Sequence, residues 1–168
     1  MLQTFADFID AFIDRIGRAV SWLTLAMVLI TFLVVVLRYV FNSGWIALQE
    51  SISYLHALVF LIGASYTLKY NEHVRVDIFY QTLGVKGQAW IDFLGSLFIL
   101  LPVMVFIIWI SWDYILDSWR VLETSREAGG LPGVYLLKSV ILIMAGLLVL
   151  QAIALILRSL NKLLQSKP

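Results

Sequence analysis

The chain has no cysteine, which removes disulfides, thiol catalysis and thiolate metal sites while saying little about redox compartment. Charge is scarce too: Asp, Glu, Lys and Arg make up 14% of the 168 residues and leave a net charge of only +1. With no basic stripe or arm to neutralise phosphates, nucleic acid is excluded as a partner. No metal set exists, because a lone His and a lone Asp in one loop fall short of three or four ligands. There is no internal repeat and no polar segment long enough for a soluble domain, so residues 1–168 read as a single membrane domain. Residues 1–17 lack the basic leader of a signal peptide and carry Asp7, Asp10 and Asp14 instead. No small-residue cleavage site follows the first apolar run, so the first long helix is expected to be retained.

What is abundant is apolar side chain, at 61% of the sequence, against about 45–50% in an ordinary soluble domain. A soluble fold of this size leaves too much surface exposed to hide that fraction. Four runs reach the ~20 residues that cross a ~30 Å hydrocarbon core as helix. They fall at about 19–37, 51–68, 93–112 and 139–157, with charges gathered between them and Pro102 near the middle of the third. The expected fold class is therefore all-α integral membrane, with four transmembrane helices. Trp22, Trp45, Trp90, Trp109, Trp112 and Trp119 sit near span ends, where a ring that is part apolar and part polar suits the headgroup level.

Orientation follows from Lys and Arg. Eight lie on the side of the termini (Arg15, Arg18, Lys69, Arg75, Lys86, Arg158, Lys162 and Lys167) and four opposite (Arg38, Arg120, Arg126 and Lys138). The positive-inside rule then places both termini in the cytoplasm. Two flanks read as interfacial helical extensions. In the first, Leu2, Phe5, Ile9, Phe12 and Ile16 recur at helical spacing opposite Asp7, Asp10 and Asp14, giving a helix that lies on the inner leaflet or lengthens the first span. In the second, past the third span, Ile115, Trp119 and Leu122 form one stripe and Asp113, Asp117 and Arg120 another. The run Gly129-Gly130-Leu131-Pro132-Gly133 is expected to stop this helix.

Few residues offer chemistry. His56 is the one His inside a span; a haem held between helices usually needs two axial ligands, so it reads as a packing histidine hydrogen-bonded to a neighbour. Glu50 follows Trp45 and Gln49 at the start of the second span. The helix dipole and free backbone N–H groups account for a carboxylate there; contact with a partner subunit or a lipid headgroup is the alternative. The alternation of His73-Val74-Arg75-Val76-Asp77 suits an extended link that fixes the following helix. Gln151 sits deep in the fourth span, where buried amides commonly link helices, and Gly63, Gly95 and Gly146 suit close helix approach. The first, third and fourth spans carry no ionisable residue in their interiors. A transporter acting alone normally needs such groups near the midplane. The chain reads as a scaffold.

At this point the chain resembles a known family, the small membrane (DctQ-like) subunits of tripartite ATP-independent periplasmic (TRAP) transporters. The most specific region is 38–80, RYVFNSGWIALQESISYLHALVFLIGASYTLKYNEHVRVDIFY. There Arg38 and Asn42 end the first span, Trp45 precedes the acidic Glu50, and the His73-x-Arg75-x-Asp77 link follows. SREAGGLP at 125–132 and Gln151 add support. One departure is Gln49, where many members carry a second acid beside the matching Glu50. The resemblance implies a multi-pass protein of the bacterial inner membrane. It implies as partners a large multi-spanning DctM-like subunit, a periplasmic substrate-binding protein and membrane lipids, with sodium-coupled uptake of an organic acid. The small subunit would brace the large one without cofactor, metal or catalytic residue. By the same analogy the connections 39–49 and 113–138 would meet the binding protein, with Asp113, Asp117, Glu123 and Glu127 giving that face acidic character. Two rivals from other classes fit less well. A membrane anchor of a redox complex lacks a second haem ligand within the spans, and a small autonomous homodimeric exporter lacks a midplane carboxylate.

Overall fold

A computed structural model of the protein describes residues 2–73, 78 and 80–165. The regular structure among them is helical: α1 Leu2–Val40, α2 Ile46–Lys69, α3 Val85–Gly95, a π turn over Ser96–Leu100, α4 Leu101–Arg120 and α5 Val134–Gln165. Four helical units are long and apolar enough to span a membrane, with α3, the π turn and α4 running as one unit of 36 residues. All four exceed their sequence-read spans. At 1.5 Å per residue the 39-residue α1 is about 58 Å long, nearly twice the hydrocarbon thickness. The N-terminal stretch therefore lengthens the first span as one unbroken helix. The start of α1 and the end of α5 lie at one end, the terminal end, and connections 41–45 and 121–133 lie at the other, the loop end.

The helix stops are local and readable. Asn42 takes a left-handed φ of 50° after α1, Asn71 one of 59° after α2, and Leu122 one of 47° after α4. Past α4, Leu122 N–H donates to the Trp119 carbonyl (3.2 Å) and Glu123 N–H to the Ser118 carbonyl (3.0 Å). Asn71 and Glu72 repeat the pattern on Leu68 and Thr67, at 3.0 Å each. These Schellman closures satisfy carbonyls that helix ends leave free. Asn accepts the left-handed region more readily than other non-glycine residues, which gives Asn42 a backbone reason. The closure at Leu122 also means that the third span stops before the Gly129–Gly133 run, not at it. The π turn answers Pro102, which has no N–H to give and whose ring crowds the carbonyl four residues back. Leu101 N–H reaches back to the Ser96 carbonyl, widening the helix there.

Helix α5 is the centre. It packs against α1, α2 and the α3–α4 unit, whereas that unit touches neither α1 nor α2 among the described residues. In its most apolar window 39% of α5 is buried, against 0–6% in the other three spans, so only α5 is enclosed by its own chain. Ala145, Ala152 and Ala154 are fully buried, small enough to let neighbouring backbones approach. Ile62, Val140 and Leu147 form one core cluster of α2 and α5. Ala6, Ile9 and Ile13 of α1 pack on Ala154 in another. The remaining apolar surface, including Val28, Phe32, Phe60, Phe98, Phe106 and Trp109, is exposed.

The terminal half of α1 turns a different face inward from the one its pattern suggests. Ala6, Ile9, Asp10 and Ile13 are buried, while Phe5 and Phe12 are exposed. Asp10 goes inside because α5 supplies its partners, described next.

Candidate partner interface

The polar side chains collect in two knots, one at each end of the helices. At the terminal end, Asp10 is 5% exposed and forms an ion pair with Arg158. Gln151 Nε2 also donates to Asp10 Oδ1 at 3.2 Å. Arg158 continues to Asp7 Oδ1 (2.9 Å), and Asn161 Nδ2 donates to Gln3 Oε1 (2.7 Å). These contacts fasten the start of α1 along the end of α5. Asp14 joins α1 to α2, accepting from Lys69 Nζ (2.9 Å) and Tyr70 Oη (2.6 Å) while also pairing with Arg18. Gln151 Oε1 is buried with no hydrogen-bond partner among the described residues.

At the loop end, Glu50 fixes the 121–133 connection onto α2. One carboxylate oxygen accepts from Ser125 Oγ, and the other accepts from Leu131 N–H at 2.6 Å. The loop closes on itself through Ser125 N–H to the Leu131 carbonyl (3.1 Å) and Val134 N–H to the Glu123 carbonyl (3.1 Å). Glu123 bridges the end of α4 to α5 by pairing with Lys138 and accepting from Ser118 Oγ at 2.7 Å. Lys138 Nζ sits 4.0 Å over the Tyr114 ring, and Trp119 Nε1 donates to Ser139 Oγ at 2.8 Å. The Lys138 ammonium, then the Ser118 hydroxyl, hold the Glu123 carboxyl below its ordinary value of 4.5.

Two predictions arise here. A Cβ on Gly130 would stand 2.6 Å from Ser125 Cβ and 2.7 Å from Glu50 Oε2, so Gly130→Ala must push the loop off its carboxylate anchor. Crowding of this kind costs about 1–3 kcal/mol. Gly44→Ala is the control, because nothing lies within 4 Å of its Cβ position. Thermal unfolding in mild detergent should drop for the first and hold for the second. The second prediction concerns pH. A carboxyl with a depressed folded pKa adds stability above its unfolded value and loses it as pH falls through the folded one. The stability gap between the native chain and Glu123→Gln should therefore hold from pH 7 to pH 5 and close only below the ordinary value of 4.5. A gap constant down to pH 3 would contradict the pairing.

The residues singled out in the sequence fare unevenly. Glu50, Glu123 and Gln151 lie in these knots. Asp117 is exposed and, among the described residues, pairs only with Arg120 beside it, at 2.8 Å. Trp45 is the exposed N-cap of α2, and Arg38 is exposed with no ion pair among the described residues. His73 folds back on α2, its Nε2 3.2 Å from the Ala64 carbonyl; Arg75 and Asp77 lie outside the described residues. Two expectations are corrected. His56 points away from the other helices, stacked at 6.1 Å on Phe60, with no hydrogen bond to a neighbour among the described residues. The packing of α2 on α5 and α1 falls on another side of the helix, around the buried Ile62. Nor do Gly63, Gly95 and Gly146 mediate close approach, since nothing lies within 4 Å of a Cβ there; Gly17 does, against Tyr66. The roles of Ser125, Gly130, Asp10 and Arg158 are not legible in the sequence, because each meets a partner remote along the chain.

Among the described residues no cluster of three His, Asp or Glu could hold a metal. The surface hollows are shallow grooves along helices, such as the one between α1 and α2 lined by Gly17, Ser21, Thr24, Gly63 and Thr67. In the two knots the polar groups tie helices together. Residues 27–162 match the family described as tripartite ATP-independent periplasmic transporters, DctQ component. The chain belongs to this family. A protein of Haemophilus influenzae assigned as a TRAP transporter small permease is 34% identical over 153 residues, covering 89% of this chain and 87% of that protein. The C4-dicarboxylate TRAP transporter small permease protein DctQ of Vibrio cholerae is 32% identical over 79 residues, 46% of this chain and 34% of that protein. No solved structure gives a significant match. DctQ proteins are small permease subunits of the inner membrane, and their family is one of transporter components, not enzymes. Membership implies a tripartite complex with a large membrane subunit and a binding protein.

Proposed function

We propose that this chain is the static brace of a sodium-coupled TRAP importer, holding the large multi-spanning subunit that carries an organic acid delivered by a periplasmic binding protein. The observation that carries the reading is the division of polar and apolar groups. The ionisable side chains of the two knots are held by groups of this same chain, whereas α1, α2 and α4 leave broad apolar faces uncovered. A coupling site would need ionisable or unwound polar groups around a midplane cavity, so ion and substrate belong to the large subunit. In this reading the terminal end is cytoplasmic, by the positive-inside rule, and the loop end faces the binding protein. The residues 1–168 act as one membrane domain. Glu50, Glu123, Asn42 and Gln151 are structural, and Arg38, Trp45, Asp117 and His73 stand at surfaces offered to partners or lipid; Arg75 and Asp77 are assigned to the same role on the sequence alone.

The test is affinity purification of the tagged chain in mild detergent after expression with its neighbouring genes, followed by mass spectrometry. Recovery of one much larger multi-spanning protein is the expected result. Recovery of the chain alone under several gentle extractions would overturn the brace and favour an autonomous exporter.

A further inference from the structure

Helix α2 carries an outward stripe that hydrocarbon does not suit. Gln49, Ser53, His56 and Phe60 are exposed, and Gly63 and Thr67 continue the line half-buried. Their spacing alternates between four and three residues, the repeat of a seam between two helices crossing at a shallow left-handed angle. His56 lies about 15 Å along the axis from Ile46 and about 20 Å from Lys69, close to the middle of the span. Titratable side chains at that depth almost always face a protein interior or a watery cavity and find a partner there. His56 has neither among the described residues: its ring stacks at 6.1 Å on Phe60 and makes no hydrogen bond. A second feature continues the same face. Open space at Gly63 and the hydroxyls of Ser21, Thr24 and Thr67 line the groove between α1 and α2. Small and hydroxylated residues of this kind let a further backbone come close in a membrane.

We infer that this face of α2 is covered by a transmembrane helix of the large subunit, which offers His56 a hydrogen-bonding side chain or a free backbone carbonyl at midplane depth. The inference rests on the brace reading for the identity of the partner. The polarity of the stripe chooses a protein over lipid, and the α3–α4 unit presents no comparable one: Phe98, Val105, Phe106, Trp109 and Ile110 are all exposed and apolar there. The covered side of the subunit is thus the α1–α2 side, and the α4 side is left to lipid.

The test places a photoreactive phenylalanine analogue at Phe60 or, as control, at Phe98, in the chain co-expressed with the large subunit and irradiated in native membranes. Position 60 is expected to yield an adduct of the chain with the large subunit, and position 98 lipid adducts alone. A parallel His56→Leu variant should lower recovery of the large subunit about threefold to thirtyfold, the range of one interhelical hydrogen bond in a membrane. His56→Gln should restore part of that loss. Lipid adducts at 60 with unimpaired co-purification would overturn the inference and leave the brace intact. A self-adduct at 60 would overturn it in favour of a second copy of this chain. Failure of the large subunit to co-purify with the unmodified chain would instead sink the brace itself.

Discussion

Gly17→Ala should loosen the junction of α1 and α2 and lower the unfolding temperature in detergent, whereas Gly146→Ala should leave it unchanged or raise it. A Cβ at position 17 would fall 2.5 Å from Tyr66 Cγ and 2.8 Å from Tyr66 Cβ. The ring cannot simply swing aside: Tyr66 packs on the cluster of Ala6, Ile9, Ile13 and Ala154, and its ring lies 4.8 Å from that of Tyr70. Tyr70 in turn donates to Asp14, so displacement of Tyr66 disturbs the polar contact next to it. Overpacking at a junction of this kind costs about 1–3 kcal/mol. In an open helical position the same exchange is favourable by up to about 1 kcal/mol, because alanine is the better helix former. Nothing lies within 4 Å of the Cβ position at Gly146, so that site reads the propensity alone. Opposite signs for one chemical change at two helical glycines test the packing directly. Equal effects at the two positions would mean that α1 does not approach α2 at Gly17.

The membrane architecture was legible because it rests on additive, local properties. Four runs of apolar residues announce four spans wherever they pack, and the charges between them mark the connections. What escaped was whatever depends on a partner far along the chain. Gly17 lies ahead of the first span as hydropathy bounds it, so the close contact with Tyr66 could not be seen there. Asp10 looked solvent-facing by sequence period, yet it is buried, because Arg158 and Gln151 of α5 lie alongside it.

Glu50 shows the middle case. Its position at the start of α2 was readable, and its helix-terminal role plausible, but the groups it binds are Ser125 and the Leu131 N–H, in a loop that folds back from the far end of α4. His56 is legible in the sequence as the one His in a span, but the direction in which it points is not. Sequence gives its depth; only the placement of α5 decides which side of α2 is inside. The same holds for the stop after α4, where a leucine, not a glycine, takes the left-handed position, against its intrinsic preference.

Removing the guanidinium of Arg158 should be the most damaging single change among the polar residues. The Asp10 carboxylate, on a residue only 5% exposed in the native fold, would then have only the Gln151 amide facing it. Breaking a buried pair from one side costs about 3–5 kcal/mol, since it strands a charge. Arg158→Ala belongs at the low end, because the arginine side chain is itself 41% exposed and water can reach the vacated space. Asp7→Ala should cost under about 1 kcal/mol, as expected of a pair whose carboxylate is 60% exposed. Removing both members of the buried pair separates charge from packing. Asp10→Leu with Arg158→Met substitutes apolar volume for the pair, and such replacements are often neutral or stabilising. The double variant should therefore unfold at a higher temperature than Arg158→Ala. It should also retain the protease resistance of the first turns of α1, which the single variant loses as α1 lifts from α5. If the double variant were as unstable as the single one, the knot would be holding the two helices through its charge, and the start of α1 would owe its place to electrostatics instead of to the apolar contact of Ala6, Ile9 and Ile13 with Ala154.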